Sequence, residues 1–259
     1  MSEGVSGADL FSLAGRIVVV TGGSSGIGRG IAVGLGRAGA SVVVLARGEA
    51  LLRETVAELD RIGCRAAWVA GDLGTRDEVT RVAEAAAAKF GEPDVLVNAA
   101  GINLRPPMRE MTTAVWDQTM ALNLEAPFLL GQRFGPGMAR RGFGRLIHVS
   151  SQQAHRAFVD SGAYGVSKGA LESLSRSQAE AWSPFGVTSN TLVPGFVPSP
   201  LNARLAADPK QVDALAARTL IGRNGVPSDF VGPAVFLASH AGNYITGQTI
   251  YVDGGFSVH

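Results

Sequence analysis

Short apolar runs, rich in β-branched residues, recur along the chain between longer stretches with helical periodicity. We predict strands at residues 17–20, 42–45, 66–69, 95–97, 146–149, 188–193 and 249–252. These runs are almost continuously apolar rather than alternating, which is typical of parallel strands covered by helices on both faces. Between them, helical composition and period predict helices at residues 26–38, 50–61, 76–89 and 163–182. Gly39, Gly63 and Gly91 follow three of these helices and are suitable stops.

The alternation of strand and helix predicts an α/β fold. Right-handed crossovers would form a single doubly wound parallel sheet of the Rossmann type, with helices on both faces and residues 1–259 in one domain. Ligands are then expected at the carboxyl ends of the strands. Residues 194–220 interrupt the alternation with four prolines and no clear strand. A loop of this length is usually functional, so we predict a lid over about 194–220.

Composition narrows the classes of partner. The net charge is +1, and no cluster of Lys and Arg is long enough to bind a phosphate backbone, so nucleic acid is not expected. The single cysteine, Cys64, permits neither an intrachain disulfide nor a multi-cysteine metal site. No His, Cys or carboxylate cluster has metal-ligand spacing, and no metal is expected. Residues 1–13 lack the features of a signal peptide, and no apolar run is long enough to span a membrane, which predicts a cytoplasmic protein.

A glycine-rich segment, residues 21–28, connects the first strand to the first long helix. Its glycines permit a sharp turn and a close approach to a ligand. Backbone N–H groups at the start of the helix would then bind a pyrophosphate. A tight turn without a ligand is the alternative interpretation, and the position after the first strand of an alternating chain makes it less favoured.

The end of the second strand bears on the choice of dinucleotide. An acidic residue that binds the adenosine ribose is expected there, but this strand ends in Arg47. A guanidinium can bind a ribose 2′-phosphate, which favours NADP (NADPH) while leaving NAD possible. An ordinary solvated arginine is an equally good interpretation, and Glu49 nearby weakens the positive field.

Candidate reacting groups follow in the second half of the chain. Tyr164 and Lys168 are four residues apart in a predicted helix, so they lie on one helix face. A nearby cation lowers the pKa of a phenol and makes it a better acid and base. Ser151 lies at the carboxyl end of a predicted strand, although paired serines there are commonly a turn or a helix cap.

The order of these features resembles the short-chain dehydrogenase/reductase family over nearly the whole chain. The resemblance is carried by Thr21-Gly22-xxx-Gly26-x-Gly28, Asp72, Asn98-x-Ala100-Gly101, Asn123, Ser151 thirteen positions before Tyr164, Lys168 and Pro194-Gly195. Two positions depart from the commonest pattern, Ala99 in place of a second Asn and Ser199 in place of Thr. Ala99 leaves the geometry near the adenosine open, whereas Ser199 keeps the hydroxyl.

The resemblance implies an NAD(P)-dependent enzyme that transfers hydride between nicotinamide and a carbonyl or alcohol. It implies that Tyr164 is the general acid/base, that Ser151 binds the substrate oxygen, that Lys168 binds the nicotinamide ribose, and that Asn123 holds a water of the proton relay. Positions expected to bind the cofactor are Gly22, Ser24, Ser25, Gly26, Ile27, Gly28, Arg47, Asp72, Leu73, Asn98, Ala99, Gly101, Tyr164, Lys168, Pro194, Gly195, Val197 and Ser199.

Within the family, residues 101–107 and the C-terminal segments look most like the gluconate 5-dehydrogenase group. A sugar acid such as gluconate is therefore one expected substrate, and Arg105, His155 and Phe196 are candidate substrate contacts. The alternatives are a 3-oxoacyl carrier-protein reductase, a broad ketone reductase and, less favoured, a lyase-type relative without nicotinamide. The resemblance and the apolar residues 244–258 also predict a homotetramer.

Overall fold

The computed structural model describes residues 7–258. Seven parallel strands form one sheet: β1 (Ile17–Thr21), β2 (Ser41–Ala46), β3 (Ala66–Ala70), β4 (Val95–Asn98), β5 (Gly144–Val149), β6 (Val187–Pro194) and β7 (Thr249–Val252). Their order is β3-β2-β1-β4-β5-β6-β7. The predicted strands and the doubly wound α/β fold are confirmed. The prediction about the N-terminus rests partly on residues 1–6, which lie outside the described residues.

Helices cover both faces of the sheet: α1 (Gly7–Phe11), α2 (Gly26–Arg37), α3 (Glu49–Arg61), α4 (Arg76–Phe90), α5 (Thr113–Met120), α6 (Ala126–Arg140), α7 (Gly162–Trp182), α8 (Ala203–Ala206), α9 (Pro209–Ala217) and α10 (Val231–Ala238). The four predicted helices are present, with ends shifted by at most one residue. None of the described helices is both long and apolar enough to cross a bilayer.

Two hydrophobic cores lie on opposite sides of the sheet, as the apolar strands require. On β1, Val18 and Val20 belong to the core that contains Ile31 of α2, whereas Val19 belongs to the core that contains Phe134 of α6. Successive strand residues point to opposite faces, so every position of a doubly covered strand is buried. This packing holds the strand ends in fixed relative positions.

The predicted lid, residues 194–220, contains more regular structure than its prolines indicated. It includes a 3₁₀ turn at Pro200–Asn202 followed by α8 and α9. The Asp208 carboxylate accepts hydrogen bonds from the amides of Lys210 and Gln211, and Pro209 occupies the first helical position. These helices were not predicted because the prolines were taken as helix breakers, although proline is well tolerated at the start of a helix.

Candidate active site

The carboxyl ends of β1, β4, β5 and β6 lie side by side in the sheet. The order reverses between β1 and β4, where open α/β sheets form a crevice for ligands. The predicted glycine segment leaves β1 here and leads into α2. Gly22 has a φ of +66°, and a Cβ at this position would lie 2.8 Å from the amide nitrogen of Ala100. Only glycine fits this close approach, and the first amides of α2 have no acceptor within the helix.

The turn after β4 is bonded to the turn after β1. The Thr21 hydroxyl accepts hydrogen bonds from the amides of Ala99 and Ala100, both at 3.1 Å. Asn98 is buried, and its amide nitrogen lies 3.2 Å from Nδ1 of His148 on β5. These contacts hold the carboxyl ends of three neighbouring strands in fixed relative positions. Ala99 contributes its backbone amide to them, so the absence of a second Asn removes none of these hydrogen bonds.

Arg47 and Asp72 lie beside each other at the ends of β2 and β3. The guanidinium and carboxylate are 3.9 Å apart, and both side chains are more than half exposed. Exposed pairs of this kind are weak, so the Arg47 side chain is free to contact a ligand at little cost. Leu73, in contrast, is buried in the core with α4 and α6, and its side chain does not face this surface.

Tyr164, Ser151 and Lys168 meet where β5 and α7 approach each other. Burial raises the pKa of Tyr164, while a hydrogen bond from Ser151 and the charge of Arg105 oppose that rise. Lys168 was expected to lower this pKa, and the cation that lowers it in this structure is Arg105. The Lys168 ammonium lies 5.7 Å from the Tyr164 ring centroid and donates to the carbonyl of Val149 at 2.8 Å. Burial lowers the pKa of Lys168 to about 8.

Asn123 lies in a π-helical turn, Ala121–Glu125, between α5 and α6 rather than in an ordinary helix. Its side chain is buried and bonds both backbone groups of Ile102, and its amide also donates to the Ser167 hydroxyl at 3.1 Å. It therefore connects the segment after Gly101 with the helix that carries Tyr164. Local π-helical turns frequently occur at functional sites.

A reaction cleft of about 140 Å³ lies above Tyr164 and Ser151. Several predicted residues line it: Ile27, Arg105, Ser151, Tyr164, Pro194, Gly195, Phe196, Val197 and Ser199. A neighbouring outer chamber of about 740 Å³ shares Arg105 with the cleft. Arg204 of α8 and Arg218, after α9, also line this chamber, and the sequence analysis did not single out either residue. Arg105 itself donates a hydrogen bond to the carbonyl of Val159.

His155 is not among the residues that line the cleft or the chamber. Its Nε2 lies 2.7 Å from the carboxylate of Glu172, a buried residue that the sequence analysis missed. The spacing could have identified Glu172, because Tyr164, Lys168 and Glu172 follow one another at four-residue intervals on one face of α7.

His148 and the metal question are separate from the cleft. The His148 ring is fully buried, and its Nε2 lies 2.8 Å from the side-chain oxygen of Gln178. Burial lowers its pKa to about 4, as expected for a core histidine. Within residues 7–258, no three His, Cys, Asp or Glu side chains are grouped so that they could hold a metal ion.

Comparisons with known proteins agree with this geometry. Residues 22–257 match the family model described as Enoyl-(Acyl carrier protein) reductase. A gluconate 5-dehydrogenase from Gluconobacter oxydans is 37% identical over 98% of this chain and 99% of its own length. The crystal structure of a gluconate 5-dehydrogenase from Burkholderia cenocepacia with NADP and tartrate is 33% identical, with a TM-score of 0.92 over 98% of this chain and all of that one. A 3-oxoacyl (acyl-carrier-protein) reductase from Agrobacterium tumefaciens with NADP bound is 34% identical over 97% of this chain and 98% of that one, also with a TM-score of 0.92.

Proposed function

Because this chain belongs to the short-chain dehydrogenase/reductase family and is an NAD(P)-dependent oxidoreductase acting on CH–OH groups, we propose that it interconverts a sugar acid such as gluconate and its keto form. The observation that carries the choice of substrate is the presence of three guanidinium groups, from Arg105, Arg204 and Arg218, around the chamber beside the Tyr164 cleft. Guanidinium groups bind carboxylates through paired, charge-assisted hydrogen bonds.

Four residues carry the proposed chemistry at the cleft. Ser151 binds the substrate oxygen, and Tyr164 exchanges a proton with that oxygen. When bound, the nicotinamide supplies or accepts the hydride. The Lys168 ammonium binds the nicotinamide ribose, and Asn123 holds a water that connects Lys168 with solvent. A Cβ at Gly101 would lie 3.2 Å from Asn123 Oδ1 and 3.6 Å from Lys168 Nζ, so the glycine keeps space open between these two groups.

We assign the cofactor to the glycine segment and its neighbours. The turn at Gly22 packs directly against the backbone of Ala100 and leads into the N-terminus of α2, where free backbone amides suit a pyrophosphate. Arg47 would bind a ribose 2′-phosphate, which supports NADP(H) over NAD(H), with Asp72 at the adenine. The residues that we propose to bind the cofactor are those expected from the sequence, and Leu73 would do so through its backbone. NADP bound in the two related structures supports this choice.

The test of the substrate class is the effect of Arg105→Ala on turnover of gluconate and of a neutral ketone. Loss of a charge-assisted hydrogen bond should raise KM for gluconate by about ten- to hundredfold and leave KM for the ketone nearly unchanged. Arg109→Ala is the matched control, since Arg109 lies on the same loop, is exposed and pairs with Glu110. Equal effects of Arg105→Ala on both substrates would reject the carboxylate contact.

The apolar part of the chamber favours one alternative. Leu104, Phe158, Leu201, Leu205 and Leu215 also line it, which suits the acyl group of a 3-oxoacyl thioester or an apolar ketone. The same assay separates the two functions: a kcat/KM for such compounds well above that for gluconate and 5-ketogluconate would favour the alternative.

We propose that the segment 194–220 is a lid within a single domain, since Leu205 of α8 and Leu215 of α9 line the cleft.

The proposed assembly is a homotetramer, which is supported by exposed apolar side chains, among them Trp116 and Phe128. Light scattering that showed a monomer at assay concentration would reject it. A cytoplasmic location is supported by the free thiol of Cys64 and is checked by cell fractionation.

A further inference from the structure

Glu172 stands out among the charged residues near the cleft because it is almost completely buried. Its side chain is 3% exposed, and it lies on α7 one turn after Lys168 and two turns after Tyr164. Each of its carboxylate oxygens has a partner. Oε1 accepts a hydrogen bond from the Ser150 hydroxyl at 2.7 Å, and Oε2 lies 2.7 Å from Nε2 of His155. Burying a carboxylate costs several kcal/mol unless it is paired in this way.

The two partners of Glu172 bracket the loop that carries Ser151. Ser150 immediately precedes Ser151, and its amide is anchored to the carbonyl of Leu192 on β6 at 2.8 Å. His155 ends the 3₁₀ turn Gln152–Ala154, which Ser151 itself caps by accepting a hydrogen bond from the amide of Gln153. One carboxylate therefore holds both ends of the loop against the helix that carries Tyr164.

We propose that Glu172 is a positioning residue, which holds Ser151 in register with Tyr164 by binding Ser150 on one side of the loop and His155 on the other. The inference rests on the proposed function, since it concerns the same reacting groups. Its physical basis is that Ser151 and Tyr164 line the same cleft but belong to two separate elements, the loop after β5 and α7. A displacement of about 1 Å between reacting groups can reduce the rate by about a hundredfold.

The contacts of Glu172 with Ser150 and His155 form a clamp, and Tyr251 on β7 lies beside its His155 end. The His155 ring packs against Tyr251 with 5.6 Å between centroids. Burial and, to a smaller extent, the Glu172 and Asp253 charges raise the pKa of Tyr251, while Arg156 opposes them. Tyr251 therefore remains a neutral phenol against the imidazole. Tyr251 and the carboxylate of Glu172 both contact the His155 side chain, which is 42% exposed.

The first test compares Glu172→Gln with Glu172→Ala. The side-chain oxygen of Gln still accepts from Ser150, but an NH2 group replaces the carboxylate oxygen that contacts His155 Nε2, so we expect kcat to fall by about tenfold for Gln and about a hundredfold for Ala. KM for NADP(H) should not change, because the glycine segment lies on another part of the sheet. Glu180→Gln, an exposed change on the same helix, is the control and should have no effect. Ser150→Ala, the smaller truncation, should also lower kcat and covers the case in which the Ala variant folds poorly.

The second test asks whether Glu172 acts through Ser151. In a Ser151→Ala background, Glu172→Gln should cost less than twofold, because the group that it positions is already absent. In addition, the pH limb of kcat that reports Tyr164 should move to higher pH in Glu172→Gln, as it should in Ser151→Ala. An equal loss of kcat in both backgrounds, or an unmoved pH limb, would overturn the proposal and indicate a general structural role.

A titration without turnover distinguishes this inference from the proposed function. The chain has three tyrosines, and the ultraviolet difference between Tyr251→Phe and Tyr251→Phe/Tyr164→Phe isolates ionisation of Tyr164. When Glu172→Gln is added to both variants of that pair, the pKa of Tyr164 should rise, because Ser151 is then less well placed to donate a hydrogen bond to the phenolate. An unchanged titration overturns the clamp even if the enzyme is active, and a raised pKa supports it even if gluconate is not a substrate.

Discussion

The first half of the sheet, with β1 and β2, and the second half, with β5 and β6, bury different kinds of side chain. On β1 and β2 the buried positions are mainly valines, such as Val18, Val19 and Val43. On β5 and β6, buried polar groups alternate with apolar ones or follow one another: Arg145, His148, Thr188, Ser189, Asn190 and Thr191. Among the residues described, most buried polar side chains belong to the second half or to α7, which packs on it.

This difference matches two ways of building a site. The first half presents backbone amides and glycines on a rigid apolar base, so its proposed ligand contacts depend on close approach of the main chain. The second half holds side chains, and each must be oriented by a buried partner, as His148 is by Gln178 and Ser150 is by Glu172. Steric changes should therefore damage the first half, whereas loss of single polar atoms should damage the second.

The largest expected effect is on the second half. Tyr164→Phe keeps the ring and removes the exchangeable proton, so kcat should fall by about a thousandfold or more. The dissociation constant of NADPH should stay within about twofold, because the glycine segment is untouched. Rapid kinetics and fluorescence titration measure the two quantities. A variant with rates close to the wild type would refute the proposed role of Tyr164.

The next effect concerns pH and stability. His148 has a pKa of about 4 in the fold, below its ordinary 6.5, because burial disfavours the imidazolium. As the pH falls from about 6.5 to 4, the unfolded chain takes up a proton that the folded chain does not, so the free energy of unfolding should fall by ~3 kcal/mol.

Urea unfolding at pH 7 and pH 5 should show ~2 kcal/mol of this loss, since the remainder falls below pH 5. His148→Gln should show a smaller difference between the two pH values than the wild type, and His240→Gln, at an exposed position, should not. A pH dependence that is unchanged in His148→Gln would show that other groups determine the acid sensitivity.

A steric change should damage the first half of the sheet rather than the second. A Cβ at Gly28 would collide with the backbone carbonyl of Gly22, which cannot move without opening the turn. Gly28→Ala should therefore weaken NADPH binding by ~2 kcal/mol, or about thirtyfold, through strain in the turn. Gly232→Ala on α10 is the control, since nothing lies within 4 Å of its added Cβ. Equal NADPH affinities for the two variants would contradict the close-approach argument.

The smallest effect is expected at Arg47. Its guanidinium is two-thirds exposed and faces Asp72, so removing it should cost ~1 kcal/mol in binding of the 2′-phosphate. Arg47→Ala should lower kcat/KM for NADPH by about five- to tenfold and leave that for NADH unchanged. Comparable kcat/KM values for both cofactors in the wild type, unaffected by Arg47→Ala, would argue against a preference for NADP.

Much of the candidate site could be predicted from the chain because strand ends and fixed spacings are local signals. Tyr164 and Lys168 share a helix face by their spacing, and Gly22 precedes a helix directly after a strand. A cation was expected to lower the pKa of Tyr164, but its net direction also depends on burial, which follows from how the elements pack. The burial of the Leu73 side chain in the core was likewise decided by packing, which leaves its backbone as the proposed contact with the cofactor.

The sequence by itself determined the alternation of strands and helices, the doubly wound sheet and the residues at its carboxyl edge, because hydrophobic period and glycine position act over a few residues. Only the tertiary structure decided which long-range partners those residues have. In that structure His155 contacts Glu172 and does not line the cleft, and Arg204 and Arg218 line the outer chamber together with Arg105. Such contacts join segments far apart in the chain, and their geometry follows from the packing of whole helices on the sheet.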